Sequence, residues 1–349
     1  MRTLVPIAAL SSRARRGSLA LLLLGVVAAG SLLESLSGSS GGRPRVRNAT
    51  LVLDFTPNAV HAGIYSALAH HYDRDDGIHL SVTVPAATTD SIGLLGSGRV
   101  DFAILDLHDL AIARQRGADI VGVMAIVERP LAAVIAAPSV TSPRQLASRT
   151  VGITGVPSDT AVLDSIVRGA GGDPAAVHTI TIGFNAVADL LAGRVAAATA
   201  FWNDEGVTLS LRRPGFHVFR VDSYGAPAYP ELVVCASRRL LNRDPNLVAS
   251  FVRTLSYGYD FTLSNPQRSA ADLESFAPGL DPRLVSAQLN ALIPAFTAPD
   301  GRVGELDAGA LQAWAAWEAH FHIVARRPDV VRMFDRSFTA LTASPLGGQ

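Results

Sequence analysis

The chain has 349 residues, 48% of them hydrophobic and 17% charged, enough for one large domain or two of ordinary size. Its formal net charge is zero, which excludes a bulk-basic nucleic-acid binder and an acidic tail. All 30 basic residues are arginine, so no lysine amine is present to hold pyridoxal phosphate or a carbonyl substrate as a Schiff base. Cys235 is the single cysteine, which leaves neither an intrachain disulfide nor a thiolate metal cluster.

Residues 1–30 read as an export signal. Arg13, Arg15 and Arg16 precede the apolar run Leu19–Leu24, and Ala28 and Gly30 suit cleavage. That run is shorter than the roughly 20 residues of a membrane span, with an uncleaved anchor as the alternative. Ser31 stands where a lipoprotein would carry its cysteine. Residues 31–47, which contain SGSSGG, read as a flexible linker, with folded structure beginning near Asn48.

Thr50–Leu53 predicts a short strand followed by the loop Asp54-Phe55-Thr56-Pro57-Asn58. A helical pattern over 61–72 ends in the polar run before Gly77, and Leu80–Val84 alternates as a strand. A helix around Ser91–Leu95 closes at Gly96-Ser97-Gly98, and Val100–Leu105 is strand-like. Strands alternating with helices imply parallel βαβ units. An internal echo supports two lobes of similar build: SIGLLGSGRVDFA (91–103) matches AVADLLAGRVAAA (186–198) in its Leu-Leu helix end, glycine cap and Gly-Arg-Val strand entry. Leu131–Ala137 is an apolar β-like run ended by Pro138, Thr150–Ile153 is the next strand, and Glu231–Ala236 is another. Crossings between lobes are expected near 137 and 228. Lobe 1 is then 48–137 plus 229–349, and lobe 2 is 138–228. Beyond Ser237 the pattern is helical: Asp244-Pro245 and Asp281-Pro282 are helix starts, and Leu247, Phe251, Leu255 and Tyr259 form one buried face. Trp314 and Trp317 read as core, as does Cys235.

Five segments carry a family resemblance: LDFTPNAVHAGIYSALAHHYDRDDGI (53–78), GSGRVDFAI (96–104), SPRQLASRTVGI (142–153), GFNAVADLLAGRVAAATAFWNDEG (183–206) and YGAPAYPELVVCAS (224–237). In these and in its order of elements the chain resembles the type II periplasmic binding proteins of ABC importers, and among them the group that binds pyrimidine precursors of thiamine. The resemblance spans roughly residues 48 to 340. It implies an α/β fold of two lobes, each a mostly parallel sheet flanked by helices, with the ligand in the cleft at the carboxyl ends of the strands. It further implies an exported, monomeric, non-enzymatic protein that passes an aminopyrimidine to a membrane permease, with no cofactor, metal or nucleic acid.

Within that resemblance the roles fall on particular residues. Trp202 is suited to cover the flat ring, and Glu205 to accept from the exocyclic amine, with Asn203 beside them and Asp204 solvated. Phe55 or Tyr65 is suited to the opposite face, and Asn58 to the ring edge. Tyr229 and Glu231 re-enter lobe 1 near the hinge. Asp106, and Ser158 and Asp159 at a helix N-terminus able to meet an acceptor or anion, also leave strands at the cleft end. His61 either touches ligand or caps a helix. The polar run His70–Asp76 reads as a solvated helix end, and His320 with His322 lacks a third spaced ligand for a metal.

Eukaryotic relatives of the same fold are synthases that build the pyrimidine from pyridoxal phosphate and one of their own histidines, using iron. That likeness implies a lysine, a histidine four residues later and a cysteine-rich segment. Leu105 and Asp109 hold the first two positions here, with His108 one residue out of register, and the cysteine-rich segment is missing. A sulfonate, nitrate or riboflavin ligand in the same fold is the remaining alternative.

Overall fold

Ten strands alternate with helices from Arg47 onward in the computed structural model, which describes residues 46–86, 90–156 and 158–340. The expected export signal and residues 31–45 of the linker lie outside the described residues. The strands are β1 (Arg47–Val52), β2 (Ile78–Thr83), β3 (Phe102–Asp106), β4 (Ile120–Ala125), β5 (Ala132–Ala136), β6 (Thr150–Ile153), β7 (His178–Thr181), β8 (Ala197–Phe201), β9 (His217–Arg220) and β10 (Leu232–Ser237). The helices that matter below are α1 (Ala62–Ala69), α2 (Tyr72–Asp75), α3 (Asp90–Gly96), α4 (Leu107–Gln115), α5 (Asp159–Gly169), α6 (Ala186–Leu191), α7 (Val207–Arg212), α8 (Arg238–Arg243), α9 (Pro245–Ser264), α10 (Pro266–Phe276), α11 (Pro282–Leu292) and α12 (Ala308–His320).

The strands form two five-stranded sheets, ordered β2-β1-β3-β10-β4 and β7-β6-β8-β5-β9. The two share one plan. β1 pairs in parallel with β2 and β3, and β6 with β7 and β8. A single reversed strand lies fourth in each sheet, β10 between β3 and β4, and β5 between β8 and β9. Those two are the strands that arrive from the other lobe. They enter at the cleft and run away from it, so they must oppose neighbours whose carboxyl ends point towards it.

This placement corrects the first expected crossing. β5 pairs with β8 and β9, so residues 132–136 belong to lobe 2 and the chain crosses before them, in residues 126–131. Pro138 ends the run, but Pro130 begins it; a proline cannot continue a ladder and marks either boundary equally well.

The C-terminal helices cover the first sheet. Asp244 and Asp281 cap α9 and α11 through the N–H groups of Leu247 and Arg283 at 2.9 Å. Leu247, Phe251, Leu255 and Tyr259 are all buried, and Phe251 stacks on Phe102 of β3 with ring centroids 3.8 Å apart. Among the described residues no helix is long and apolar enough to cross a membrane.

Candidate functional site

The carboxyl ends of β1, β3, β6 and β8 converge on one cleft enclosing about 1040 Å³, its open mouth included. β1 delivers Asp54, Phe55 and Asn58; β3 delivers Asp106, His108 and Asp109. β6 delivers Thr154, Ser158 and Asp159, and β8 delivers Phe201, Asn203, Asp204 and Glu205. Phe184, from the loop before α6, meets Phe55 edge-on at 4.3 Å and completes an aromatic wall. Six of these side chains are carboxyl groups, and His108 is the one basic residue in the lining among the described residues.

On the lobe 1 side the loop after β1 is fixed internally. Asn58 accepts from the Val60 N–H at 2.9 Å and donates to the Thr56 carbonyl at 3.1 Å, capping the turn that opens α1. The Asn58 N–H donates to His61 Nδ1 at 3.2 Å, so Nε2 carries the proton and donates to Asp54 at 2.9 Å. His61 therefore orders the loop and is not part of the lining. Tyr65 also lies outside it: the side chain is buried in α1 with its ring 5.6 Å from that of Phe276.

On the lobe 2 side Asp159 is a hub. It accepts from the Thr154 hydroxyl at 2.8 Å, the Gly155 N–H at 2.7 Å and the Thr199 hydroxyl at 2.9 Å. Burial still raises its pKa, against these bonds. The Val156 N–H is turned to the Thr154 hydroxyl at 3.4 Å. The loop's N–H groups at 155 and 156 are thus spent on the protein itself, which leaves only the first turn of α5 to meet an acceptor or anion.

After β8 the chain makes a five-residue π-helical turn, Trp202–Gly206. Trp202 is not part of the lining: its indole N–H donates to the Pro130 carbonyl at 2.9 Å, and the Arg220 guanidinium lies over its ring at 4.3 Å. The ring that lines the cleft is its predecessor, Phe201. Asn203 does line it, is 1% exposed, and has a side-chain oxygen without a partner. Asp204, expected in solvent, also lines the cleft and is held by the Gln288 amide. Burial raises its pKa to about 6, against that bond and the nearby His61. Glu205 accepts from the Phe201 N–H at 3.0 Å. Burial and then the Asp204 charge push its pKa up to about 8.

Tyr229 and Glu231 flank the cleft floor without lining it. Glu231 Oε2 accepts from the Leu131 and Ala132 N–H groups at 2.6 and 2.9 Å, tying the return crossing to the outgoing one. The Tyr229 hydroxyl stands 3.1 Å from His108 Nε2. Of the twelve residues singled out in the sequence, the lining unites Phe55, Asn58, Asp106, Ser158, Asp159, Asn203 and Glu205. It excludes His61, Tyr65, Trp202, Tyr229 and Glu231. Among the residues it adds are Asp54, His108, Asp109, Phe184, Phe201 and Asp204, of which Asp109 was accessible by extending the echo beyond Ala103 to the residue matching Asp204.

Comparison with known proteins agrees with this architecture. A protein of Halalkalibacterium halodurans named formylaminopyrimidine-binding protein is 30% identical over 279 residues, 77% of this chain and 84% of its own. A 4-amino-5-hydroxymethyl-2-methylpyrimidine phosphate synthase of Legionella pneumophila is 24% identical over 254 residues, 71% of this chain and 79% of its own. Among solved structures, the alkanesulfonate-binding protein SsuA of Xanthomonas axonopodis pv. citri, bound to MOPS, superposes with a TM-score of 0.67 at 17% identity. That match covers 83% of this chain and 98% of that one, a likeness of fold. The two-lobed periplasmic-binding-protein fold is thereby established. With residues 58–269 matching its family model, the chain belongs to the NMT1/THI5-like family.

Proposed function

We propose that the chain is an extracytoplasmic solute-binding protein that closes its lobes on an aminopyrimidine precursor of thiamine and delivers it, as a monomer, to the permease of an ABC importer. The observation that carries this reading is the chemistry of the lining: six carboxyl groups, no arginine among the described residues, and the unpartnered Asn203 oxygen. An anionic sulfonate or nitrate would meet six carboxyl groups and, among the described residues, a single basic side chain, His108, which Glu318 already engages, at a high electrostatic cost. A flat neutral ring bearing an amine finds the Phe55–Phe184 wall and acceptors at its edge.

The carboxyl group of Glu205, neutral up to about pH 8, changes the role first given to it. With Oε2 on the Phe201 N–H, the protonated group donates to a ring nitrogen, while Asn203 Oδ1 accepts from the adjacent amine. The name of the Halalkalibacterium halodurans relative supports the ligand class. Synthase chemistry is disfavoured by Leu105 at the lysine position and by the missing cysteine-rich segment.

Calorimetric titration with formylaminopyrimidine, hydroxymethylpyrimidine, thiamine, riboflavin, taurine and nitrate tests the assignment. Saturable binding of an aminopyrimidine, with taurine and nitrate silent, is the expected result. Tight binding of either anion with no response to a pyrimidine would overturn it.

A further inference from the structure

Beneath the cleft, β3, the return crossing and α12 bring Asp106, His108, Glu231 and Glu318 together. His108 and both glutamates are at most 1% exposed. One imidazole here faces three carboxyl groups, and among the described residues no arginine forms an ion pair with any of them. Burying such an excess of negative charge is unfavourable unless protons or a cation balance it.

The donor geometry favours a cation. Glu318 lies hard against His108 Nδ1, closer than the Trp314 indole N–H at 3.3 Å, so the carboxylate takes the Nδ1 proton. That contact orients the ring with Nε2 as an acceptor, 3.1 Å from the Tyr229 hydroxyl and on the side of the acids, so a metal on Nε2 takes the place of the Tyr229 contact while a carboxylate fixes the imidazole from Nδ1. Glu231 Oε1 stands 3.7 Å from Nε2 and has no hydrogen-bond partner, while its twin oxygen is clamped by the Leu131 and Ala132 N–H groups. Asp106 supplies a third donor, and the three donor atoms lie within 4.8 Å of one another. Two donors about 2.0–2.2 Å from one tetrahedral ion stand roughly 3.4 Å apart, so a small contraction suffices.

We infer that Asp106, His108 and Glu231 form a site for a divalent transition-metal ion, oriented by Glu318, at the floor of the ligand cleft. The mixed imidazole and carboxylate set suits Zn²⁺, Mn²⁺ or Fe²⁺. The ion joins the β3–α4 junction to the return crossing, a structural role that the ligand reading does not require.

The test uses the untagged full chain, stripped with chelator and titrated calorimetrically with Zn²⁺ or Mn²⁺ alone. Metal content is then measured after desalting. One equivalent per chain is expected. Asp106→Asn should weaken binding by more than about 100-fold, beyond the about 10–100-fold expected for Glu318→Gln, which only loosens the histidine's orientation. The double variant His320→Ala/His322→Ala should bind as the wild type does. Because Glu231 also staples the crossing, the isosteric Asp106→Asn decides the matter, with circular dichroism checking its fold. No bound equivalent, or an ion that Asp106→Asn holds as tightly as the wild type, overturns the site.

Discussion

The unit 91–103 of one lobe and the unit 186–198 of the other are alike down to their hydrogen bonds, and part company one strand later. In the first, the Gly98 N–H reaches the Leu95 carbonyl at 3.1 Å and the Arg99 N–H the Leu94 carbonyl at 3.0 Å. In the second, Gly193 reaches Leu190 at 3.1 Å and Arg194 reaches Asp189 at 2.9 Å. Both are Schellman-type helix ends with exposed glycine and arginine, feeding a buried valine, Val100 or Val195, towards a strand. Past the strand, β3 runs directly into α4, capped by Asp106, which accepts from the His108 N–H at 2.7 Å. β8 instead runs into the π-helical turn, which has no side-chain cap, and Glu205 reaches back to the strand's last N–H. One scaffold thus presents a histidine among carboxylates in lobe 1 and a neutral acid beside a free amide in lobe 2. The chemistry sits in the few residues beyond the repeated part.

The sharpest way to break this comparison is to truncate matched positions. Leu110 and Glu205 occupy the same place after their strands. Leu110 is fully buried in the core, so Leu110→Ala should cost about 2–5 kcal/mol of stability in denaturant unfolding. Glu205→Ala should cost less, about 0.5–1.5 kcal/mol, the net value of the hydrogen bond that the neutral carboxyl accepts from the Phe201 N–H. It should lower aminopyrimidine affinity by about 5–150-fold in calorimetry, the about 1–3 kcal/mol of leaving the ligand's buried ring nitrogen without a partner. Equal loss of stability in the two variants would mean that Glu205 is structural.

The acidic turn should also respond to pH. Glu205 holds its proton to about pH 8 when folded but has an ordinary value of 4.5, so the folded state binds more protons in that window. Stability then falls as pH rises from about 4.5 to 8, and Asp204 adds to the lower part of the slope. Thermal unfolding across this range should show a shallower decline in Glu205→Gln than in the wild type. Ligand affinity should drop above about pH 8 in the wild type, where the donor is lost, and stay level in Glu205→Gln, which keeps an N–H. Wild-type affinity that climbs above pH 8 would restore Glu205 as an ionised acceptor.

The same turn shows what could be read from residues alone. Helix caps, the alternating strands and the echoed unit were legible because each is set by neighbours in the chain: Asp244 before Pro245, Gly98 and Gly193 after Leu-Leu. The lobe to which β5 belongs was not, because Ala132–Ala136 is apolar on both faces and its partners β8 and β9 lie far along the chain. Asn203 and Glu205 line the cleft, and Trp202 does not. Its direction depends on the π-helical turn and on Pro130 and Arg220, contacts invisible in a local pattern. Trp202→Phe should accordingly leave ligand affinity within about 2-fold while costing about 1 kcal/mol of stability, the value of the lost bond to Pro130. A large loss of affinity would return the indole to the binding wall.

The smallest effect tests the likeness of the two lobes rather than their difference. Gly98 and Gly193 have φ of +72° and +68°, and a Cβ added at either would meet nothing within 4 Å. With no clash at either site, alanine pays only for the left-handed backbone, about 1 kcal/mol in each lobe. Gly98→Ala and Gly193→Ala should therefore shift the unfolding midpoint alike, within about 0.5 kcal/mol, and leave binding intact, because neither cap touches the cleft. If the two differed by more than that, the caps would be carrying unequal loads, and the echo would be a likeness of pattern without a likeness of energetics.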